Sequence, residues 1–508
     1  MPVRGPRRSG AAGRGVRLTG QMYEPTWDSV STHEVPAWYD DAKLGIFLHW
    51  GLYSVPGWAP QVDDIQKLLH DAGPEEMLRQ NPYAEWYLNT SRLEGSPTWQ
   101  HQRDTYGPDA TYDDFVAPFD EASASADLDA IAGICSDAGA RYVVLTTKHH
   151  EGFCLWPTAL EHPRKGRYHA KRDLVGDMRQ AVLGAGMRMG LYYSGGYDWP
   201  YNDALIKNPA ETSLAVPYQD DYVGYATAHV QELIHRYEPS VLWNDVCWPS
   251  GGNLAGLFAE YYNAVPEGVI NDRWLQPTGH RGTMSDAVAR LGGWLVQRFW
   301  SHIPDASKSL TFPATHHYDF RTPEYATFDD IQEKKFEATR GVGHSFGANR
   351  NERPEDIVTP TELVRLLVDI VSKNGNLLIG IGPDEHGRIP ELQQAPMRGL
   401  GEWMRVNGEA IYGTRPWDIA QATTTEGADV RFTQRDGELY ASVLDVSERS
   451  FGIRGVDATG VTGVRLLGVD EPIAWSVDDG MLRVTLPERV PASPAHVLAL
   501  GTGARPAS

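Results

Sequence analysis

From about Ala42 to Trp403 the chain alternates between short apolar runs and amphipathic stretches of helical period. No other feature constrains the fold as tightly. Strands separated by a helix cannot pair as hairpins; they need crossover connections, which are right-handed and give a parallel sheet. Residues 44–51 read as a first strand. Residues 127–138 read as a helix with Leu128, Ile131, Ile134 and Cys135 on one face, Gly139 stops it, and 142–147 is the next strand. A helix over 174–183 precedes a strand over 187–193. A helix over 222–237, broken at Glu238-Pro239, precedes a strand ending at Asp245. At 359–373, Thr359 can cap, Pro360 takes the first helical position and Glu362 completes a capping box, before Asn374-Gly375 and a strand over 377–381. Repeated units of this kind close most simply into a barrel.

After Trp417 the period changes to two. Val430 and Phe432, Ala441 and Val443, and Leu482, Val484 and Leu486 alternate with other residues, and Asp436-Gly437 and Asp479-Gly480 are hairpin turns. The expectation is an α/β protein: a (β/α)8-like TIM barrel over residues 22–413 and a C-terminal all-β sandwich over 414–508. Residues 1–21, with five arginines among Gly, Ala and Pro, read as a disordered tail lacking the apolar core of a secretory signal.

Polar and aromatic residues gather where successive strands end: His49-Trp50, Lys148-His149-His150, Tyr192-Tyr193-Ser194, Trp243-Asn244-Asp245 and Asn271-Asp272-Arg273-Trp274. In a parallel barrel these ends converge on one pocket. Asp245 stands out. A carboxylate closing an apolar strand between Trp243 and Trp248 is poorly placed for stability, so it marks chemistry, an N-cap or a satisfied polar network. Indole walls suit a sugar ring. Arg273 is free to pair with its neighbour Asp272. The pair His149-His150 suggests a metal, yet adjacent residues on a strand point to opposite faces and no His-x-His partner accompanies them, so neither a metal nor an organic cofactor is expected.

The formal net charge of −21 argues against a nucleic-acid partner. No apolar run is long enough to span a membrane. Three cysteines, Cys135, Cys154 and Cys247, fit a reducing compartment, and the expected location is the cytoplasm. Homo-oligomerisation stays open.

These segments resemble glycoside hydrolase family 29, the retaining α-L-fucosidases. The matching pieces include Asn81-Pro82-Tyr83-Ala84-Glu85-Trp86-Tyr87, Thr146-Thr147-Lys148-His149-His150-Glu151-Gly152-Phe153, Leu242-Trp243-Asn244-Asp245, Asn271-Asp272-Arg273-Trp274 and Phe346-Gly347-Ala348-Asn349-Arg350. They run in order over about residues 35–417. The resemblance implies an exo-acting double displacement on fucosylated oligosaccharides or glycoconjugates, with Asp245 as nucleophile. Its acid/base partner would be Glu324, in Asp319-Phe320-Arg321-Thr322-Pro323-Glu324-Tyr325, with Glu352 and Glu355 as rivals. His49, Glu85, Trp86, His149, His150 and Tyr192 would hold ring hydroxyls. Arg273 would sit beside the nucleophile, and Phe346 with a tryptophan such as Trp243 would face the C6 methyl. The stretch between Trp274 and Tyr318, with Trp294, Trp300 and His302, is longer than in many members and reads as a lid, an aglycone wall or surface padding. Two other functions remain open: another retaining exo-glycosidase of α-galactosidase type, and a fucose-binding protein without catalysis.

Overall fold

The computed structural model describes residues 22–63, 65–277, 283–300, 315–446, 448–501 and 503–506. The expected tail over 1–21 and His302 lie outside them. Seven strands form the first sheet: β1 (Leu44–Leu48), β2 (Tyr142–Lys148), β3 (Arg188–Ser194), β4 (Val241–Asp245), β5 (Val269–Ile270), β6 (Phe336–Gly341) and β7 (Gly375–Ile381). Their order is β5-β4-β3-β2-β1-β7-β6, and every pairing is parallel.

An extended segment closes the curled sheet. Asp319 N donates to Ile270 O (3.0 Å) and Phe320 bridges Asn271, so residues 319–325 run alongside β5. On their other side Glu337 N donates to Arg321 O (2.7 Å) and Thr339 N to Pro323 O (2.9 Å), which joins them to β6. The ring therefore has eight parallel positions in chain order, the sixth being this segment rather than a regular strand. It carries Glu324.

Both faces of the sheet are buried. Ile46, Leu48, Val143, Leu145, Leu242 and Ile379 pack outward with the helices, while Phe47, Tyr142, Val144, Tyr192, Trp243 and Leu378 fill the barrel. Gly45 is required for that filling: a Cβ there would lie 2.4 Å from the Tyr142 ring.

The helices form where period and caps place them. Asp127 accepts from Ala130 N (3.0 Å) to start Leu128–Asp137, which Gly139 ends at φ 91°. Thr359 and Glu362 make the reciprocal capping box of Pro360–Ser372. The helix Asp220–Tyr237 stops at Glu238, whose left-handed backbone (φ 46°) precedes Pro239.

The β-rich region begins with the strand Arg415–Thr423. A five-stranded antiparallel sheet faces a three-stranded one (Ser450–Ile453, Met481–Thr485, Ala474–Asp478) across a core of Val430, Phe432, Ala441, Phe451, Leu482 and Leu498. Both Asp-Gly turns have positive φ at their two central residues: 52° and 84° at Asp436-Gly437, 51° and 81° at Asp479-Gly480. That is the backbone twist that joins adjacent antiparallel strands. This sandwich leans on the barrel's last helices, where Trp403 Nε1 donates to Ala495 O (3.0 Å) and Arg431 Nε to Asp369 (2.6 Å). No helix among the described residues is long and apolar enough to cross a membrane.

Candidate active site

A cavity of about 320 Å³ opens at the carboxyl ends of the strands, at the small end of the range of roughly 300–1,000 Å³ usual for small-ligand sites. His49, Glu85, Trp86, His149, His150, Tyr192, Trp243, Asp245, Arg273, Glu324 and Phe346 all line it.

Asp245 is the last residue of β4. Its Oδ1 accepts from Arg273 Nη1 (2.9 Å) and from Val246 N (2.8 Å), and its Oδ2 accepts from the Tyr192 hydroxyl (2.8 Å). Glu324 lies across the cavity. Its Oε1 accepts from the Tyr83 hydroxyl (2.9 Å), and its Oε2 from Arg273 Nη2 (3.0 Å). One guanidinium thus holds both carboxylates, through its two terminal nitrogens. Arg273 does not pair with Asp272, which instead accepts from Thr322 N and Oγ1 (3.1 and 2.7 Å). Arg273 is itself fixed by Thr322 Oγ1 (2.9 Å), by Thr322 O (3.2 Å), and by the face of Trp243, 4.8 Å from its guanidinium carbon.

Asn244 keeps these strand ends in register. Its N–H donates to Asn271 Oδ1 (3.0 Å), its carbonyl accepts from Asn271 Nδ2 (2.8 Å), and its own Nδ2 donates to Arg273 O (2.7 Å). Asp245 is not an N-cap; the next helix, Leu254–Ala264, is capped by Asn253. Each carboxylate is followed by a non-glycine residue in left-handed backbone, Val246 at φ 71° and Tyr325 at φ 49°. For β-branched Val246 that conformation costs on the order of 1–3 kcal/mol, the kind of local strain that collects at functional sites.

The two histidines correct the expectation of opposite faces. β2 has an irregular register at Thr146/Lys148 and ends at Lys148. His149 and His150 lie beyond it, where strand alternation no longer applies, and their rings sit side by side at 3.9 Å. Both meet the cavity. Ser194 Oγ has a single proton, which goes to Tyr197 O (2.9 Å), so His150 Nδ1 must be the donor in its 2.7 Å contact with Ser194. Burial, then His149 and Lys148, hold the His150 pKa well below the usual imidazole range. The neutral ring therefore keeps a lone pair on Nε2, 3.8 Å from Asp245 Oδ2, ready to accept from a sugar hydroxyl. Burial, with His149 second, likewise keeps His49 neutral. Ligand-type atoms of His149, His150 and Asp245 come within 4.8 Å of one another. The guanidinium already at Asp245 opposes a second cation there.

A buried ion pair backs this turn. Lys148 Nζ lies 3.1 Å from Asp198 Oδ2, and His162 Nε2 is 2.9 Å from Oδ1, with all three side chains inaccessible. Burial alone would raise the Asp198 pKa, but Lys148 and His162 outweigh it and bring it to about 2. Since an unfolded aspartate titrates near 3.9, this pair contributes stability above roughly pH 4 and loses it as pH falls toward 2. Asp198→Asn strands a buried ammonium and is expected to cost about 3–5 kcal/mol in urea unfolding at pH 7. The deficit relative to wild type should shrink at pH 3. A loss below ~1 kcal/mol, as for an exposed pair, refutes that role.

Glu85, in the 3-10 turn Ala84–Trp86, accepts from Gly347 N (3.0 Å) and Ser345 Oγ (3.1 Å), tying the loop after β1 to the loop that carries Phe346. Phe346 packs near His49, Phe47 and Tyr83 at ring separations of 4.9, 6.1 and 5.8 Å. The rivals of Glu324 stand elsewhere. Glu352 accepts from Ser345 N (3.1 Å) behind that loop, and Glu355 pairs with Arg353 at the surface; neither lines the cavity.

Three contributors escape sequence reading. Tyr83 lies in the quoted Asn-Pro-Tyr motif but gives no sign of its contact with Glu324. Val246 shows nothing until its backbone is seen. Glu337 lies in β6, a strand whose polar pattern hides it. It is fully buried and accepts from Trp243 Nε1 (3.1 Å), Tyr39 OH (2.8 Å) and Tyr142 OH. Burial pushes its carboxyl up to about 7 against those hydrogen bonds. Within the long segment after Trp274 the helix Thr283–Arg298 is described, and none of its described side chains lines the cavity.

A barrel that brings two carboxylates together in a cavity lined by imidazoles and indoles defines a glycoside hydrolase. The chain belongs to the alpha-L-fucosidase family, whose model matches residues 12–409. It is 30% identical to human tissue alpha-L-fucosidase over 493 residues, covering 93% of this chain and 90% of that protein. It is equally similar to the enzyme of Macaca fascicularis, over 93% of this chain and 89% of that one. Among solved structures, an alpha-L-fucosidase superposes with TM-score 0.81 at 39% identity, covering 94% of this chain and all of the other. Thermotoga maritima alpha-fucosidase in complex with fucose superposes at 0.77 and 38% identity, over 94% and 100% of the two chains. The protein is thus a glycosidase with alpha-L-fucosidase activity.

Proposed function

We propose that this enzyme removes terminal α-L-fucosyl units from oligosaccharides or glycoconjugates by double displacement, with Asp245 as nucleophile and Glu324 as acid/base. The observation that carries this reading is the shared guanidinium. Two carboxylates held by one Arg273 are near neighbours, an arrangement that admits the spacing of about 5–5.5 Å used by retaining enzymes. In the first step an Asp245 oxygen bonds to C1 while Glu324 gives its proton to the departing oxygen. In the second, water bonds to C1, Glu324 takes the water's proton, and Asp245 leaves. The anomeric configuration is retained.

Neutral His150, with His49, His149 and Glu85, reads the ring hydroxyls, and the Phe346–Phe47–Tyr83 group faces the C6 methyl. A greasy wall of that kind discriminates by only about 1–3 kcal/mol, so galactosides should be slow substrates rather than inert ones.

The test is Glu324→Ala assayed on aryl α-L-fucosides. Hydrolysis should fall steeply for poor leaving groups and little for dinitrophenolate, and azide should restore turnover by trapping the fucosyl-enzyme as the α-fucosyl azide. A variant indifferent to both leaving group and azide places the acid/base elsewhere.

A further inference from the structure

One buried acid has no part in the bond-making steps. Glu337 lies on β6 two residues before Thr339, so both side chains enter the barrel. Thr339 lines the cavity, and Glu337, one layer further in, does not. Glu337 is wholly inaccessible, and Phe47, Val144 and Leu378 are among the residues that fill this interior. A carboxyl group in such company carries a burial penalty that a leucine of similar size would avoid.

What the acid supplies is a fixed acceptor for one particular ring. Its Oε1 accepts from Trp243 Nε1 (3.1 Å), while its Oε2 takes the hydroxyls of Tyr39, on the helix Ala37–Ala42, and of Tyr142, at the start of β2. The two tyrosines thus hold the carboxyl from the amino ends of the strands, opposite the cavity, and the carboxyl holds the edge of the indole. The indole in turn meets the reacting centre. The Arg273 guanidinium lies over its face, 4.8 Å from the ring centre, and the Tyr192 ring stacks on it at 5.4 Å and 22°. Arg273 and Tyr192 both donate to Asp245, so two of the hydrogen bonds that aim this carboxylate come from side chains resting on one indole. Without the tether at Nε1, packing alone would set the tilt of that ring.

We propose that Glu337 is a positioning residue for the nucleophile, fixing the Trp243 indole so that Arg273 and Tyr192 present Asp245 to the anomeric carbon in one orientation. This rests on Asp245 as the nucleophile and adds a residue that touches neither the sugar nor the reacting atoms.

Two conservative replacements separate the tether from the charge. Glu337→Asp keeps the charge but is one methylene shorter, so its carboxylate cannot reach the indole and both tyrosines together. Glu337→Gln keeps the length: its amide oxygen can take the indole N–H while its amide nitrogen turns to the tyrosine oxygens. Burial already pushes the native carboxyl up to about 7, so near neutrality an uncharged side chain is a state the enzyme populates. On nitrophenyl α-L-fucoside at neutral pH, Glu337→Asp should lower kcat by about tenfold or more, the scale on which small misplacements at a reacting centre act, with KM changed far less. Glu337→Gln should keep kcat within about threefold, since one hydrogen bond replaces another. In a Trp243→Phe background there is no N–H to hold. Adding Glu337→Asp there should lower kcat by less than about twofold beyond Trp243→Phe alone. Loss of folded protein would instead multiply through both backgrounds, so the comparison stands even where Glu337→Asp folds poorly. Full activity of Glu337→Asp overturns the proposal. So does a loss in Glu337→Gln as deep as in Glu337→Asp, which makes the charge what matters. An equal loss from Glu337→Asp in both backgrounds overturns it too, because Glu337 then does not act through Trp243. Failure of the underlying site looks different: Asp245→Gly would turn over the fucoside normally, whatever stands at position 337.

Discussion

Asp245→Gly is expected to lower kcat on aryl α-L-fucosides by about a thousandfold or more, with the fold retained. Removing a covalent nucleophile leaves only binding and proton transfer, and losses of this order follow when a single member of such a unit is deleted. The fold should tolerate it. Asp245 is partly open to the cavity, with 14% of its side chain exposed, so water can enter the space left behind. Arg273 keeps Glu324 and Thr322 as partners, and Tyr192 loses one acceptor at the cavity's edge. The vacated volume, flanked by Arg273 and Tyr192, is shaped for a small anion. Azide entering there should attack C1 of an activated α-fucoside directly, with departure of the aryloxide and inversion to the β-fucosyl azide. The Glu324→Ala variant must give the opposite anomer, because azide there displaces Asp245 from an already inverted intermediate. Two variants giving two anomers establish both roles by stereochemistry alone. The same anomer from both, or near-normal turnover of Asp245→Gly without azide, would refute the assignment.

How much of this was legible in the sequence depends on the range of the interaction. Local signals carried through. The capping box at Thr359, Pro360 and Glu362 and the Asp-Gly turns at 436–437 and 479–480 formed as their chemistry requires, because each is decided within four residues. The apolar run that ends in Asp245 is a buried strand because its neighbours on both sides are strands of the same kind. Contacts between distant residues were not legible. Tyr83 meets Glu324 across 241 positions and Trp243 meets Glu337 across 94, and no period or propensity encodes such a distance. Barrel closure by residues 319–325 was hidden because Arg321, Thr322 and Pro323 make poor strand signal; their pairing is imposed by β5 and β6 on either side. The rule that adjacent residues point to opposite faces holds within strands and fails for His149 and His150, because β2 ends at Lys148. Glu337 and Thr339 point into the barrel, where usual strand patterns place apolar residues, so β6 did not read as a core strand at all.

Arg273 carries the second large effect, since it joins what the sequence kept apart. Replacing it with methionine preserves bulk against the Trp243 ring but leaves two carboxylates facing each other with no counter-charge. Deleting one partner of a buried ionic network typically costs about 3–5 kcal/mol, and Arg273 is 4% exposed, so solvent screens little of that. Burial disfavours its charge, yet Asp245, Glu324 and Asp272 together raise its pKa above the ordinary guanidinium value. The charge is held by its partners, and they by it. Arg273→Met should therefore lower the unfolding free energy by an amount in that range and reduce kcat by roughly 10²–10³-fold, the scale of losing one preorganised group at the reacting centre. Arg273→Lys separates the two contributions. An ammonium restores the charge but cannot lie flat on Trp243 while reaching two carboxylates from two fixed nitrogens. Most of the stability should return in the lysine variant and little of the activity. If lysine restores both, the site needs only a positive charge, and the forked geometry proposed to set the spacing of Asp245 and Glu324 is unnecessary. If methionine is tolerated in stability and turnover alike, the two acids are not coupled through this residue, and the support it gives to a retaining mechanism is gone.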